Sequence, residues 1–244
     1  MLSLITYGCA ESHHGVVWQN GTIDALLDGN YDGEVTIGQV RRHGDFGLGT
    51  FNGLDGEMVD LEGQVFQVRP DGAVRQVGDD VRTPFAVVTA FEGGAPQSLA
   101  GPMSFHEMQA RLDQFRAANG HAAAIRIDGR FAVVRTRSVP RQDRPYRRLA
   151  DVVKGQSVFE LKNVSGTLVG LWFPPSLSHV NVPGYHFHFI ADDRSSGGHV
   201  LDLTLLDGTA RIEDLPNLQI ALPGEAPTTR LVNDREQELR ATEK

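Results

Sequence analysis

The segment Gly184-Tyr-His-Phe-His-Phe189, continuing through Ile190-Ala-Asp-Asp-Arg-Ser-Ser-Gly-Gly198 to His199, carries the clearest chemical signal in the chain. Its first half alternates in polarity, and successive side chains of a strand point to opposite faces. His186 and His188 therefore share one face, and Phe187 and Phe189 the other. The polar, glycine-containing stretch Asp192 to Gly198 can reverse the chain, and His199 then opens Val200-Leu-Asp-Leu-Thr-Leu-Leu206, a natural antiparallel partner. Three imidazoles brought together in this way suit zinc or another divalent first-row metal. They leave at least one coordination position open for substrate or water. The alternative is a pair of hydrogen-bonded histidines on a half-buried strand. His13, His14, His43, His106, His121 and His179 have no partner at ligand spacing and read as surface or capping residues.

Two further stretches carry residues that chemistry could use. His43-Gly-Asp-Phe-Gly-Leu-Gly-Thr-Phe-Asn-Gly-Leu-Asp-Gly-Glu57 has glycines that allow either close backbone approach to a ligand or unusual dihedrals. It lacks the Lys-Ser/Thr ending of a phosphate loop. Glu57, at its end, is either an acid or metal ligand or an exposed turn carboxylate. In Arg135-Thr-Arg-Ser-Val-Pro-Arg-Gln142 a strand would place Arg135 and Arg137 on one face. An arginine there can clamp a carboxylate with two parallel hydrogen bonds, or simply be solvated.

Short segments position these groups. The 244 residues hold 27 glycines and 12 prolines, which cut the chain into pieces of alternating or β-branched character. Leu61 to Val68 reads as a strand ending at the turn Arg69-Pro-Asp-Gly72, and Ala86 to Phe91 as another. Ala123 to Ile127 and Arg130 to Thr136 read as the arms of a hairpin turning at Asp128-Gly129. Leu168 to Phe173 ends at Pro174-Pro175, and Leu201 to Leu206 at Asp207-Gly208. Helices are fewer: Thr22 to Leu27, Thr36 to Arg42, a helix from a Ser104/Glu107 capping box to about Ala118, and Asn233 to Thr242 with Asn233 or Asp234 as its cap. The pattern predicts an α+β protein dominated by antiparallel strands. Pro140, Pro145 and nearby charges suggest a boundary that would divide residues 1–140 from 141–244.

Composition excludes several functions. A hydrophobic fraction of 40% can fill a core. A formal net charge of -8 argues against a nucleic-acid surface, and Arg141-Gln-Asp-Arg-Pro-Tyr-Arg-Arg148 is a short basic loop interrupted by Asp143 and Pro145. The single cysteine, Cys9, can form no intrachain disulfide and no Cys-type zinc site. Met1 to Ala10 lacks the basic flank of a signal peptide, and no segment approaches the roughly 20 apolar residues that span a bilayer. A cytoplasmic protein with no membrane partner is expected.

Taken together, His43 to Phe51, Leu54-Asp-Gly-Glu57, Thr83-Pro-Phe-Ala86, Thr136-Arg-Ser-Val-Pro-Arg-Gln142, Gly184 to Phe189, Asp192-Asp-Arg194 and Gly197 to Asp202 resemble the bacterial α-acetolactate decarboxylase family. The resemblance runs from about Asp28 to Glu243. It implies a fold of two mixed or antiparallel β-sheet subdomains with few helices, a metal site at the cleft between them, and a homodimer. It implies loss of carbon dioxide from the small-molecule substrate 2-acetolactate to give acetoin, with Zn2+ on His186, His188 and His199. Glu57 and Arg137 match the family's carboxylate and strand arginine. The family's C-terminal carboxylate near the metal best matches Glu243, with Glu236 and Glu238 as alternatives. Two rival readings stand beside it. A cupin-like metal dioxygenase would place a Glu a few residues after the His pair, where Ala191, Asp192 and Asp193 stand. A non-catalytic metal or small-molecule binding module would not need Glu57 and Arg137.

Overall fold

A computed structural model describes residues 14–222 and 235–243; Cys9, His13 and the expected caps Asn233 and Asp234 lie outside the described residues. β1 (Val16–Asn20) and α1 (Ile23–Leu27) lead to β2 (Val35–Thr36), α2 (Ile37–Val40), β3 (Phe46–Thr50), β4 (Glu57–Leu61) and β5 (Gln64–Val68). Next come β6 (Val74–Gln76), β7 (Arg82–Thr83), β8 (Ala86–Thr89), β9 (Gln97–Ser104), α3 (Phe105–Phe115) and β10 (Ala122–Ser138). The remaining elements are α4 (Leu149–Val152), β11 (Ser157–Phe173), β12 (Gly184–Ala191), β13 (Gly197–Leu215), β14 (Asn217–Ala221) and α5 (Arg235–Thr242). The short helices start where their capping residues stand. The Thr22 hydroxyl accepts from the Ala25 amide, and Thr36/Gln39 and Ser104/Glu107 each close a full capping box. Helix α3 stops at Phe115, three residues before the expected end.

Two sheets stack on one another. The first runs β14-β1-β8-β3-β4-β5-β6 and the second β10-β11-β12-β13-β9, so the α+β, mainly antiparallel reading describes the molecule. In the second sheet β10 pairs β11 on one side and β13 on the other, while β12 bridges β11 and β13. Alternation along each strand sorts its apolar side chains between layers. Leu48, Val59, Leu61 and Val87 of the first sheet meet Ala124, Val169, Leu171 and Ile190 of the second in the central core. The far face of the second sheet, with Phe187, Phe189 and Leu203, packs on Met108 and Leu112 of α3. The far face of the first, with Trp18, Met58, Val65 and Val88, is covered by Ile37 and Val40 of α2. No helix among the described residues is long and apolar enough to cross a membrane.

Several local readings are corrected. Asp128-Gly129 is not a turn: β10 runs through it, and Gly129 pairs with Gly166 on β11 and Gly208 on β13. Asp207-Gly208 likewise lies inside β13. Both Asp-Gly pairs sit opposite one another across two long strands, so interstrand pairing outweighs the local turn preference; the irregularity appears instead as register shifts near Arg130 and Phe131. Leu61 to Val68 is two strands joined by Glu62-Gly63, whose φ values of 56° and 71° are those of a type I′ hairpin turn. The glycine-rich stretch before Glu57 contains a buried central strand, β3, whose periodicity is hidden because two of its five positions have no side chain. Sheet membership also departs from a division at residue 140. β9 and β10, which precede it, belong to the second sheet, and β14, which follows it, joins the first.

A candidate metal centre between the sheets

Strand β12 carries His186, His188 and Ile190 toward the central core and Phe187 and Phe189 toward α3, as its alternation predicts. His199, at the start of β13, pairs directly with His188, and Arg137 near the end of β10 pairs with His199. The three imidazoles are buried, and one nitrogen from each lies within 4.8 Å of the others. From the opposite sheet, Gly56 turns the chain with φ 83° into β4; a Cβ there would lie 2.3 Å from the Val68 carbonyl oxygen. Glu57 follows immediately and reaches across the sheet interface.

The ring orientations favour a cation. The Nδ1–H of His188 donates to the Met58 carbonyl at 2.7 Å, which leaves the Nε2 lone pair facing the cluster. That Nε2 and the Nδ1 of His186 are buried without a hydrogen-bond partner. His186 Nε2 and His199 Nδ1 are 3.0 Å apart. Two carboxylates approach: Glu57 Oε2 lies 3.6 Å from His188 Nε2, and Glu243 Oε2 lies 3.5 Å from His199 Nε2. Donor atoms sharing one ion at bond lengths of about 2.0–2.2 Å stand roughly 3.3 Å apart. The unpartnered His188 Nε2, a nitrogen-rich donor set and one nitrogen of each ring within 4.8 Å of the others fit a zinc-type ion.

Burial sets the protonation states. Desolvation holds all three imidazoles below their ordinary pKa, His188 down to about 3, with the neighbouring rings and the Arg137 charge adding to the effect at several positions. Neutral imidazoles are the metal-binding form. Desolvation pushes Glu57 up, and the Arg137 guanidinium opposes it. Glu243 is raised to about 7 by burial, with Glu57 adding and Arg137 opposing. Arg137 Nη1 donates to Glu57 Oε1 at 2.9 Å and its Nη2 to the Thr242 carbonyl at 3.1 Å, so one guanidinium spans both carboxylate-bearing segments.

These groups line a chamber of about 40 Å³, large enough for a few water molecules. Its other walls are apolar: Ile23 and Leu26 of α1, Leu54, Phe85, Val139 and Leu149. A wider groove of about 780 Å³ shares His186, His199 and Glu243 with it.

The structure thus brings together His186, His188, His199, Glu57, Arg137 and Glu243. Of the alternatives to Glu243, Glu238 pairs with Arg148 and Arg235 instead, and the Glu236 side chain lies outside the described residues. Arg135 is exposed, and Asp192 and Asp193 sit on an exposed turn away from the imidazoles. Sequence reasoning missed the Met58 carbonyl, the Thr242 carbonyl and the apolar walls. Backbone acceptors leave no trace in residue type, and α1 showed only an ordinary apolar face.

A two-sheet α+β scaffold with a buried three-histidine cluster and two converging carboxylates defines a candidate metalloenzyme. The family model described as alpha-acetolactate decarboxylase matches residues 17–229. The chain is 44% identical over 231 residues to the alpha-acetolactate decarboxylase of Methanosarcina mazei, covering 94% of this chain and 80% of that protein. It is 42% identical over 217 residues to that of Klebsiella aerogenes, covering 89% and 84%. The crystal structure of alpha-acetolactate decarboxylase from Bacillus subtilis strain 168 superposes with a TM-score of 0.91 at 35% identity, over 93% of this chain and 99% of that one. The chain belongs to the alpha-acetolactate decarboxylase family, and it is an enzyme of the carboxy-lyase class.

Proposed function

We propose that this enzyme holds one zinc ion on His186, His188 and His199 and converts 2-acetolactate to acetoin and carbon dioxide. The observation that carries the reading is the set of three buried imidazoles, one nitrogen of each within 4.8 Å of the others, in a cluster that also receives two carboxylates and an arginine. A bound zinc ion supplies Lewis acidity toward the carbonyl and hydroxyl oxygens of a 2-hydroxy-3-oxo acid. The substrate's own ketone accepts the electron pair left by carbon dioxide, so no organic electron sink is needed.

The chain's own residues must then bind, orient and protonate. Arg137, held on β10 and by Glu57, presents a fixed cation to the substrate carboxylate before it leaves. The enediolate that loss of carbon dioxide leaves is nearly planar and takes up one proton at carbon, on one face. Glu57 and Glu243 are both buried carboxyls whose affinity for a proton is raised by desolvation, which suits general acid work near neutral pH. Arg137 stays charged and is a poor acid, so it orients rather than donates. The apolar walls from Leu26, Leu54, Phe85 and Leu149 exclude water and accept the substrate's methyl groups. We also read the enzyme as cytoplasmic and homodimeric, on the family resemblance.

Elemental analysis of purified protein, paired with a colour test for acetoin after addition of 2-acetolactate, tests this reading. One equivalent of zinc and zinc-dependent acetoin formation are expected. Activity that persists unchanged after metal removal, or a stoichiometric metal without acetoin formation, would overturn it.

A further inference from the structure

The last element of the described chain, α5, has eight residues, too few to hold a helix by local propensity in water. Tertiary contacts must fix it. At its start Arg235 Nη2 donates to Asp28 Oδ2, its Nη1 lies 3.5 Å from Glu238 Oε2, and its Nε lies 3.9 Å from Asp24 Oδ2. Arg148, just before α4, places Nη2 2.7 Å from Glu238 Oε2 and 3.3 Å from Asp28 Oδ1. Two arginines and three carboxylates, drawn from α1, the α4 entrance and α5, thus form one network. Arg235 and Asp28 keep only 8% side-chain exposure and Glu238 only 12%, so solvent screens these pairs weakly. One turn on, Leu239 enters the central core, and the Thr242 carbonyl accepts from Arg137.

Glu243 follows directly. The helix advances about 6 Å over the four residues from Glu238 to Thr242, so the register set at Glu238 decides where the Glu243 carboxyl stands against His199. We propose that Arg148, Glu238, Arg235 and Asp28 form a latch that positions Glu243 in the reaction chamber, making Arg148 and Glu238 positioning residues for decarboxylation. The proposal rests on the reading of the chamber that Glu243 lines beside His199 as the reaction site. None of the four latch residues lines the 40 Å³ chamber. They act at the far end of α5, through its backbone. Arg148 itself is 36% exposed, but its partners Asp28 and Glu238 are largely buried, so removing it leaves their charges short of a partner where solvent reaches them poorly. A displacement of about 1 Å at a reacting group costs up to roughly 100-fold in rate.

The test compares Arg148→Ala, Arg148→Lys and Glu238→Ala in the zinc-loaded enzyme, with and without Glu243→Gln. Arg148→Ala and Glu238→Ala should lower kcat by about tenfold or more, with KM within about twofold and zinc retained at one equivalent. Arg148→Lys should recover part of the loss. In the Glu243→Gln background Arg148→Ala should change kcat by less than about twofold, since the group it positions is gone. Amide hydrogen exchange should accelerate in residues 239–243 of Arg148→Ala while the amides of β12 keep their protection. Equal losses in both backgrounds, or exchange that rises in β12 and α5 together, would overturn the latch. Wild-type turnover in Glu243→Gln alone would overturn the acid reading, and exchange confined to α5 in Arg148→Ala would then support the latch as a docking device by itself.

Discussion

The two faces of β4 each bury a carboxylate, three residues apart, and only one of them faces the three histidines. On the inner face Glu57 meets Arg137 at 2.9 Å and the His188 ring at 3.6 Å. On the outer face Asp60 is fully buried beside Val65 and near Trp18 and Val88, and neither of its oxygens has a hydrogen-bond partner among the described residues. Desolvation raises both, and Asp60 reaches about 7, with Asp45 adding to the shift and Arg41 opposing it. Burial is therefore a poor marker of function by itself. What separates the two is convergence: the inner face looks onto three imidazoles, a fixed guanidinium and a chamber, while Asp60 on the outer face lies among mainly apolar side chains, with Arg41 and Asp45 the charges near enough to act on it.

Four substitutions can break or sharpen this contrast. The largest effect is expected for His188→Ala, which removes a donor whose orientation the Met58 carbonyl sets. Zinc content should fall well below one equivalent, and acetoin formation by roughly 10³-fold or more, with the far-ultraviolet circular dichroism unchanged. Retention of zinc and turnover would remove the inner face from the mechanism. Glu57→Gln keeps the shape and removes the titratable proton. We expect turnover lower by about 10²–10⁴-fold with zinc retained, measured by initial rates alongside metal analysis. Unchanged rates would transfer the acid role to Glu243.

Arg137→Lys keeps the charge and loses the planar fork that spans Glu57 and the Thr242 carbonyl. A fall in kcat/KM of roughly two to three decades is expected from the lost charge-assisted contact. Chiral chromatography of the acetoin should also show an eroded enantiomer ratio, because the face that receives the proton is no longer set. A variant that matches wild type in both would make Arg137 a purely structural arginine.

The smallest effect on turnover belongs to the outer face. Asp60→Asn should leave kcat within about twofold and change stability instead. The sign follows from the raised pKa. An acid whose folded value lies above its unfolded value binds more protons when folded, so its penalty is absent in acid and complete above about pH 7. Wild type should lose roughly 3–4 kcal/mol relative to Asp60→Asn as pH rises from about 4 to 8, since one pKa unit corresponds to about 1.4 kcal/mol. Urea titrations of both proteins at the two pH values measure this. A constant difference would mean that Asp60 is charged at low pH or neutral at both.

Residue type and spacing alone were enough to determine the alternation of His186-Phe187-His188-Phe189, the return of His199 and three helix N-termini at Thr22, Thr36 and Ser104. These depend on interactions within a few residues, which side-chain periodicity and capping chemistry report directly. The Asp-Gly pairs at 128 and 207 show where local information stops. Each is a turn by its own preference, and each is overruled because β10 and β13 find each other across some eighty residues. Only the tertiary structure decided that Glu57 and Glu243 meet the histidines from two other parts of the chain, and that Glu238 does not. It also decided that Asp60, as buried as Glu57, faces the wrong layer. The physical reason is the same in each case. A site is a convergence of faces, and which faces meet is settled by how two sheets and a short C-terminal helix pack, not by any one segment's pattern.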